Sequence, residues 1–202
     1  ALGRICGARN KIVVVIYTAH GFHFYRGAKG IGPFIYKILE TIMAKKTDVI
    51  IAMNQEDYGA AKKMKLKGDG KVFIVHGVGV STEEYQSSSN LVTNKRHELK
   101  LKQTDIVCIA MGDLIRRKNY ETSIKSIALL NNKDVHFLIC GEGPEKKRLE
   151  ALAKKLGVNE QIHFLGYRDD IKSLLSISDC FLFSSFQEGL PRSLMEAMAS
   201  GL

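Results

Sequence analysis

The chain has 202 residues, of which 45% are hydrophobic, 8% aromatic and 25% charged, a balance that argues against disorder and leaves room for one large domain or two small ones. No apolar run nears the roughly 20 residues that cross a bilayer, and the opening ALGRICGARNK lacks the core and cleavage pattern of a signal peptide. A net charge of +9 favours anionic partners, whether phosphates, acidic lipid or nucleic acid, without choosing among them.

In chain order, KIVVVIYTA reads as a strand, IGPFIYKILETIMAKK as a helix, DVIIAMN as a strand, QEDYGAAKKMK as a helix and KVFIVHGVGV as a strand. Strand and helix in alternation imply parallel strands with helical crossovers. Residues 81–104 then turn polar and serine-rich with one short charged helical stretch, which suits a linker. Four βα units follow in close order: IVCIAMG with NYETSIKSIALLNN, VHFLICG with PEKKRLEALAKKLG, IHFLG with DDIKSLLSIS, and CFLFSS with LPRSLMEAMAS. They predict a parallel sheet covered on both faces, the doubly wound class. The division expected is 1–85 for part of a first domain, 86–104 for a linker and 105–202 for a second domain. Cys108, Cys140 and Cys180 lie in apolar β-like runs without a C-x-x-C pair, as buried thiols of a reducing, cytosolic compartment would. The sequence neither begins with Met nor ends on a tail, so a piece of a longer protein is expected.

Ligands of doubly wound sheets bind beyond the carboxyl ends of the strands, which directs attention to the loops GDLIRRKN, GEGPEKK and SSFQEGLPRS. GEGP lacks the third glycine of a dinucleotide loop, and Pro144 removes an amide, so it reads as a tight turn with Pro144 at the first helical position. In the last loop Pro191 suits the first turn of a helix, where the amides of Gly189 and Leu190 can meet an anion. Glu188 precedes that helix and Glu196 lies on its second turn. The basic clusters, among them Arg116-Arg117-Lys118 and Lys146-Lys147-Arg148, read mostly as solvated helix faces.

SDCFLFSSFQEGLPRSLMEAMASG resembles the donor-binding segment of the retaining glycosyltransferases of family four, which have the GT-B architecture of two facing Rossmann-like domains. The upstream GDLIRRKNYETSIKSI, FLICGEGPEKKRLEALAKKLGV and IHFLGYRDDIKSLLSISD are similar to the same domain in order and spacing. IYTAHGFHFYRGA and VFIVHGVGVSTEEY resemble its first domain. The resemblance implies an α/β fold of GT-B type with two Rossmann-like domains, both incomplete here. It implies that Glu188 bonds the donor sugar, that the Gly189 and Leu190 amides beside Pro191 meet sugar or diphosphate, and that Glu196 accepts from ribose. Lys118 with Arg117 or Arg116 would hold the diphosphate, where charge develops as the glycosidic bond breaks. His20, directly before a glycine, would reach the donor, with His23 as its rival. Asp113 departs from the family's basic residue at its position, and Arg116 is the available substitute.

The function so implied is transfer of a hexose or N-acetylhexosamine, with retention, from a nucleotide sugar, UDP-linked by expectation, to a saccharide or lipid-linked acceptor. No metal and no cofactor are implied, since the nucleotide sugar is a substrate. IGPFIYKILETIMAKK mixes apolar and basic residues, so peripheral contact with the inner membrane face is weighed beside an ordinary packed helix. A nucleotide-sugar epimerase of GT-B shape is one alternative. A non-catalytic basic protein binding nucleic acid is the other, although no cluster of cations with interleaved aromatics supports it, and no nucleic-acid partner is expected.

Overall fold

The computed structural model describes every residue except 1, 11, 76, 78 and 86–88. Parts of the KIVVVIYTA and KVFIVHGVGV runs and of the expected linker therefore lie outside the described residues. By internal contacts the chain divides into two compact units, Ala1–Val78 with Glu188–Leu190, and Gly79–Gln187 with Pro191–Leu202.

The first unit runs α1 (Leu2–Arg9), β1 (Ile16–Ala19), α2 (Ile31–Ala44), β2 (Val49–Ala52), α3 (Gln55–Ala61) and β3 (Lys71–Ile74). Its strands are parallel in the order β1-β2-β3, so the described strands progress in one direction. The long apolar run before Ala19 yields only four strand residues, because β2 offers four partners. Asn54 caps α3 by accepting from the Asp57 amide at 2.8 Å, a role suited to a short amide side chain. Asp57, itself buried, accepts from the Phe22 amide at 3.2 Å, and this pins the loop that leaves β1 with His20. The core is small, with Ala19, Phe22, Ala44, Ile50 and Ala61 buried together. Along α2 only Met43 and Ala44 are buried, while Ile31, Phe34, Ile35, Ile38, Leu39 and Ile42 are exposed.

The second unit runs α4 (Ser89–Glu98), β4 (Ile106–Met111), α5 (Tyr120–Leu130), β5 (Val135–Cys140), α6 (Lys146–Lys155), β6 (Ile162–Gly166), α7 (Ile171–Ser176), β7 (Cys180–Phe181) and α8 (Arg192–Ala199). The parallel order β6-β5-β4-β7 reverses direction at β4, which is the doubly wound arrangement. Alternation along the central strands explains why they read as continuous apolar runs. Cys108, Ala110, Phe137 and Ile139 pack on one side with Ile124 and Leu149. Val107, Ile109, Leu138 and Cys140 pack on the other with Leu174, Leu175 and Ala197. Each fully buried Ile, Leu or Phe contributes roughly 1.5–3 kcal/mol, so these two layers are the main source of stability.

Two expectations change, and one stretch is better anchored than its composition suggests. The expected linker carries α4, where a short charged helical stretch is read, and its Arg96 is only 6% exposed. The Arg96 guanidinium donates to the carbonyls of Lys102, Asp105 and Ile177 at 3.1, 2.9 and 2.8 Å and meets the Asp179 carboxylate at 3.2 Å. A fork of five donors can satisfy scattered backbone carbonyls in this way, which a polar sequence pattern does not reveal. Cys180 is exposed rather than buried, since β7 is a two-residue strand at the end of the sheet order. Burial pushes the thiols of Cys108 and Cys140 up to about 11 and about 12. Finally, α6 starts at Lys146, so Pro144 precedes the helix rather than opening it.

At the opposite end of the sheet from the strand-end loops, His136 Nδ1 lies 3.0 Å from His163 Nε2, and His136 Nε2 lies 3.4 Å from the buried Asp105 carboxylate. Burial first, and then His136, hold the His163 pKa below its ordinary value. The unfolded chain therefore takes up this proton first, so stability is complete above about pH 6.5 and declines as pH falls below it. Melting temperature should drop from pH 6.5 to 5.5, and His163→Asn should flatten that slope. An equal slope in the variant would refute the role of the pair.

Candidate active site

Because the strand order reverses at β4, the loops after β4 and β7 leave the sheet side by side and open a crevice. Backbone bonds continue the ladder past the strand ends. The amides of Gly112, Leu114 and Glu145 donate to the carbonyls of Cys140, Glu142 and Leu114 at 2.9, 2.8 and 3.0 Å, and the Gly141 amide donates to the Gly166 carbonyl at 2.7 Å. The glycines of GEGP serve this packing. A Cβ on Gly143 would stand 2.5 Å from the Leu114 carbonyl oxygen, and one on Gly141 would collide with that of Gly112. GEGP is thus a strand-to-helix turn, as its spacing suggests.

A cavity of about 420 Å³ opens over this floor, lined by Gly112, Asp113, Gly141, Glu142, Tyr167, Arg168 and Glu196. Glu196 reaches it from the second turn of α8, where its carboxylate accepts from Arg192 Nε at 2.9 Å and from the Tyr85 hydroxyl. Arg168 is fixed by a two-pronged bond to Asp170 at 2.7 and 2.6 Å, and this holds the Asp170 carboxyl far below the usual range. Lys95 braces the same carboxylate at 2.8 Å. The cavity is therefore a backbone floor with charged, immobilised walls.

Lys118 closes a 3-10 turn, Arg116–Lys118, and its ammonium lies over Gly112, where an added Cβ would be 3.1 Å away. Lys118 is thus held against Gly112, whose backbone lines the cavity that Glu196 enters, while its own side chain borders a smaller pocket with Ser184 and Ser185. Asn119, in the left-handed conformation at φ 52°, donates its side-chain amide to the Ser184 carbonyl at 3.2 Å. The Ser184 hydroxyl donates to the Asn119 carbonyl and accepts from Ser123, each at 3.0 Å. Arg117 Nη1 donates to the Gln187 carbonyl at 2.5 Å, and the Phe186 amide donates to the Arg117 carbonyl at 2.9 Å. These bonds sew the two loops together. Arg117 thereby ties loop to loop, whereas Arg116 is 89% exposed and faces Glu145 at 3.8 Å.

Pro191 sits at the cap position with extended backbone, and the helix begins at Arg192, one residue later than the sequence suggests. Glu188–Leu190 belongs to the first unit. There the Gly189 backbone lies against the His20 carbonyl, so that any Cβ on Gly189 would collide with it, and Leu190 packs on Gly77. His23, the rival of His20, rests its ring 4.7 Å from that of Tyr36. Tyr167, Arg168, Asn119 and Ser184 were not singled out by sequence. The rule that ligands lie beyond strand ends applies equally to the YRDD loop after β6 and would have found the first two.

A doubly wound parallel sheet with a charged cavity beyond the carboxyl ends of its strands defines a Rossmann-like α/β protein. Residues 92–202 match the family described as glycosyl transferases group 1, and the chain belongs to that family. It is 33% identical to EpsD of Bacillus subtilis (strain 168) over 96% of this chain and 51% of that protein. It is 30% identical to the UDP-Gal:alpha-D-GlcNAc-diphosphoundecaprenol alpha-1,3-galactosyltransferase of Escherichia coli, over 100% of this chain and 53% of that protein. The chain thus spans about half the length of the curated relatives it matches. The fold matches that of Anabaena Alr3699/HepE, solved in complex with UDP-glucose, with a TM-score of 0.83 at 20% identity over 99% of this chain and 54% of that one. This is the GT-B likeness expected from sequence, and neither the epimerase nor the nucleic-acid reading is favoured.

Proposed function

We propose that the whole protein transfers a hexose or N-acetylhexosamine from a UDP-linked donor, with retention, to a saccharide or lipid-linked acceptor. The observation that carries this reading is the cavity that Glu196 enters over a backbone floor, with Lys118 held against Gly112 of that floor. In it Glu196 accepts from the ribose hydroxyls, and Lys118, beside Gly112, compensates the diphosphate charge. Arg117 positions Lys118 by holding the loop against Gln187. Glu188 bonds the donor sugar, the amides of Gly189 and Leu190 meet sugar or phosphate, and His20 approaches the same sugar. Retention without a second carboxylate nucleophile calls for a front-face route, in which the departing phosphate oxygen takes up the acceptor's proton.

Calorimetry with UDP, GDP and ADP tests the donor assignment. UDP should bind most tightly, and Glu196→Gln should weaken it by 10- to 100-fold, since a hydrogen bond to a charged group contributes about 1.5–3 kcal/mol. Equal affinity in the variant removes Glu196 from the ribose. The relative that acts on a diphosphoundecaprenol substrate supports a lipid-linked acceptor, and the exposed aliphatic residues of α2 beside Lys37, Lys45 and Lys46 support peripheral contact with the inner membrane face. Among the described residues no helix is long and apolar enough to cross a membrane. Each lysine near an anionic surface contributes about 1 kcal/mol. The protein should co-sediment with phosphatidylglycerol vesicles, less so in high salt, and not with phosphatidylcholine alone; indifference to lipid charge would refute the contact.

A further inference from the structure

A second cavity lies in the same unit, on the other side of the loop that carries Lys118. It measures about 430 Å³, and its polar walls are Arg116, Asn119, Glu121, Glu145 and Arg148, with Phe186 at its mouth. Its volume falls in the range of small-molecule sites. We propose that this cavity is a separate carbohydrate site that holds one or two neutral sugar residues of the acceptor glycan; this rests on the reading that the acceptor is a saccharide.

The chemistry of the walls selects the ligand class. Arg148 bonds Glu145 at 2.7 Å and Glu121 at 2.5 Å, Lys125 bonds Glu121 at 2.6 Å, and Arg116 stands 3.8 Å from Glu145. Among the lining residues the two guanidinium groups of Arg116 and Arg148 match the two carboxylates of Glu121 and Glu145, so a phosphate or carboxylate entering here would meet carboxylates as closely as guanidinium groups. Hydroxyl groups both donate and accept, and they suit a wall that presents guanidinium donors beside carboxylate acceptors. Phe186 adds an apolar ring, 67% exposed, that can cover the C–H face of a pyranose. Its position is not free to drift, because its amide donates to the Arg117 carbonyl and Arg117 in turn holds Gln187.

The test is an NMR titration of the chain with methyl α-D-glucoside and N,N′-diacetylchitobiose, and separately with UDP. Either saccharide should shift the amides of Phe186, Glu121 and Glu145 saturably, whereas UDP should shift those of Gly112, Gly141 and Glu142. Phe186→Ala should weaken saccharide binding at least tenfold and leave UDP binding unchanged, and Glu121→Gln should weaken it without affecting the fold. Absence of a saturable saccharide shift, equal binding by Phe186→Ala, or tighter binding of glucuronate or inorganic phosphate at the same amides would overturn the proposal. If UDP fails to shift its own set while a saccharide shifts the first, the donor-cavity reading fails and the carbohydrate site stands.

Discussion

Lys118→Ala should lower kcat of the whole protein by on the order of 10²–10³-fold, the usual effect of deleting one group aimed at charge that develops in the transition state. The proposed leaving group is a nucleoside diphosphate, whose charge rises as the glycosidic bond lengthens, and Lys118 holds its ammonium beside Gly112, whose backbone lines the cavity. The donor's KM should change less than kcat, because the ground-state diphosphate already has solvent and backbone amides to meet it. Lys118→Arg should recover only part of the rate, since a planar fork does not place its charge where a compact ammonium does. A transfer assay that finds Lys118→Ala within threefold of the parent would remove Lys118 from the chemistry.

Arg96→Leu should cost about 3 kcal/mol of stability, although it lies far from any sugar. The substitution leaves the carbonyls of Asp105 and Ile177 without a donor that solvent cannot easily replace, and each such loss costs about 1–3 kcal/mol. Asp179 keeps a partner in the Val107 amide at 2.8 Å and is half exposed, so its share is small. Arg96→Lys should lose nearly as much, because one ammonium cannot reach carbonyls on both sides. Urea unfolding followed by circular dichroism would measure both. A loss under 1 kcal/mol would mean that water takes over these bonds.

Much of this was legible in the sequence because central parallel strands announce themselves. IVCIAM and VHFLIC are apolar at nearly every position since both of their faces are covered, and β4 and β5 occupy the same residues that the pattern marks. The site's helix was legible for a different reason: the residues of QEGLPRSLMEAM combine a glycine approach, a proline stop and two carboxylates. Arg96 was not legible, because its role depends on carbonyls from residues 102, 105 and 177, which no local pattern links. Arg116 shows the complementary limit. Its neighbours Arg117 and Lys118 carry the same charge, but a tight 3-10 turn sends successive side chains in different directions, and charge clusters in a sequence say nothing of direction.

The interlocked turns beyond β4, β5 and β6 have a consequence for how donor choice can diverge. The floor of the cavity is built from main-chain amides and carbonyls of Gly112, Gly141 and Gly166, and because a Cβ on Gly141 would collide with the Gly112 carbonyl, it admits little change at these glycines. In the proposed donor site, selectivity for the nucleotide can therefore be written on the walls, by exchanging Asp113, Glu142, Tyr167 or Arg168 while the floor stays in place. A scaffold of this kind separates the part that must not change from the part that can, and on the proposed reading lets one architecture adopt different nucleotides through a handful of side chains.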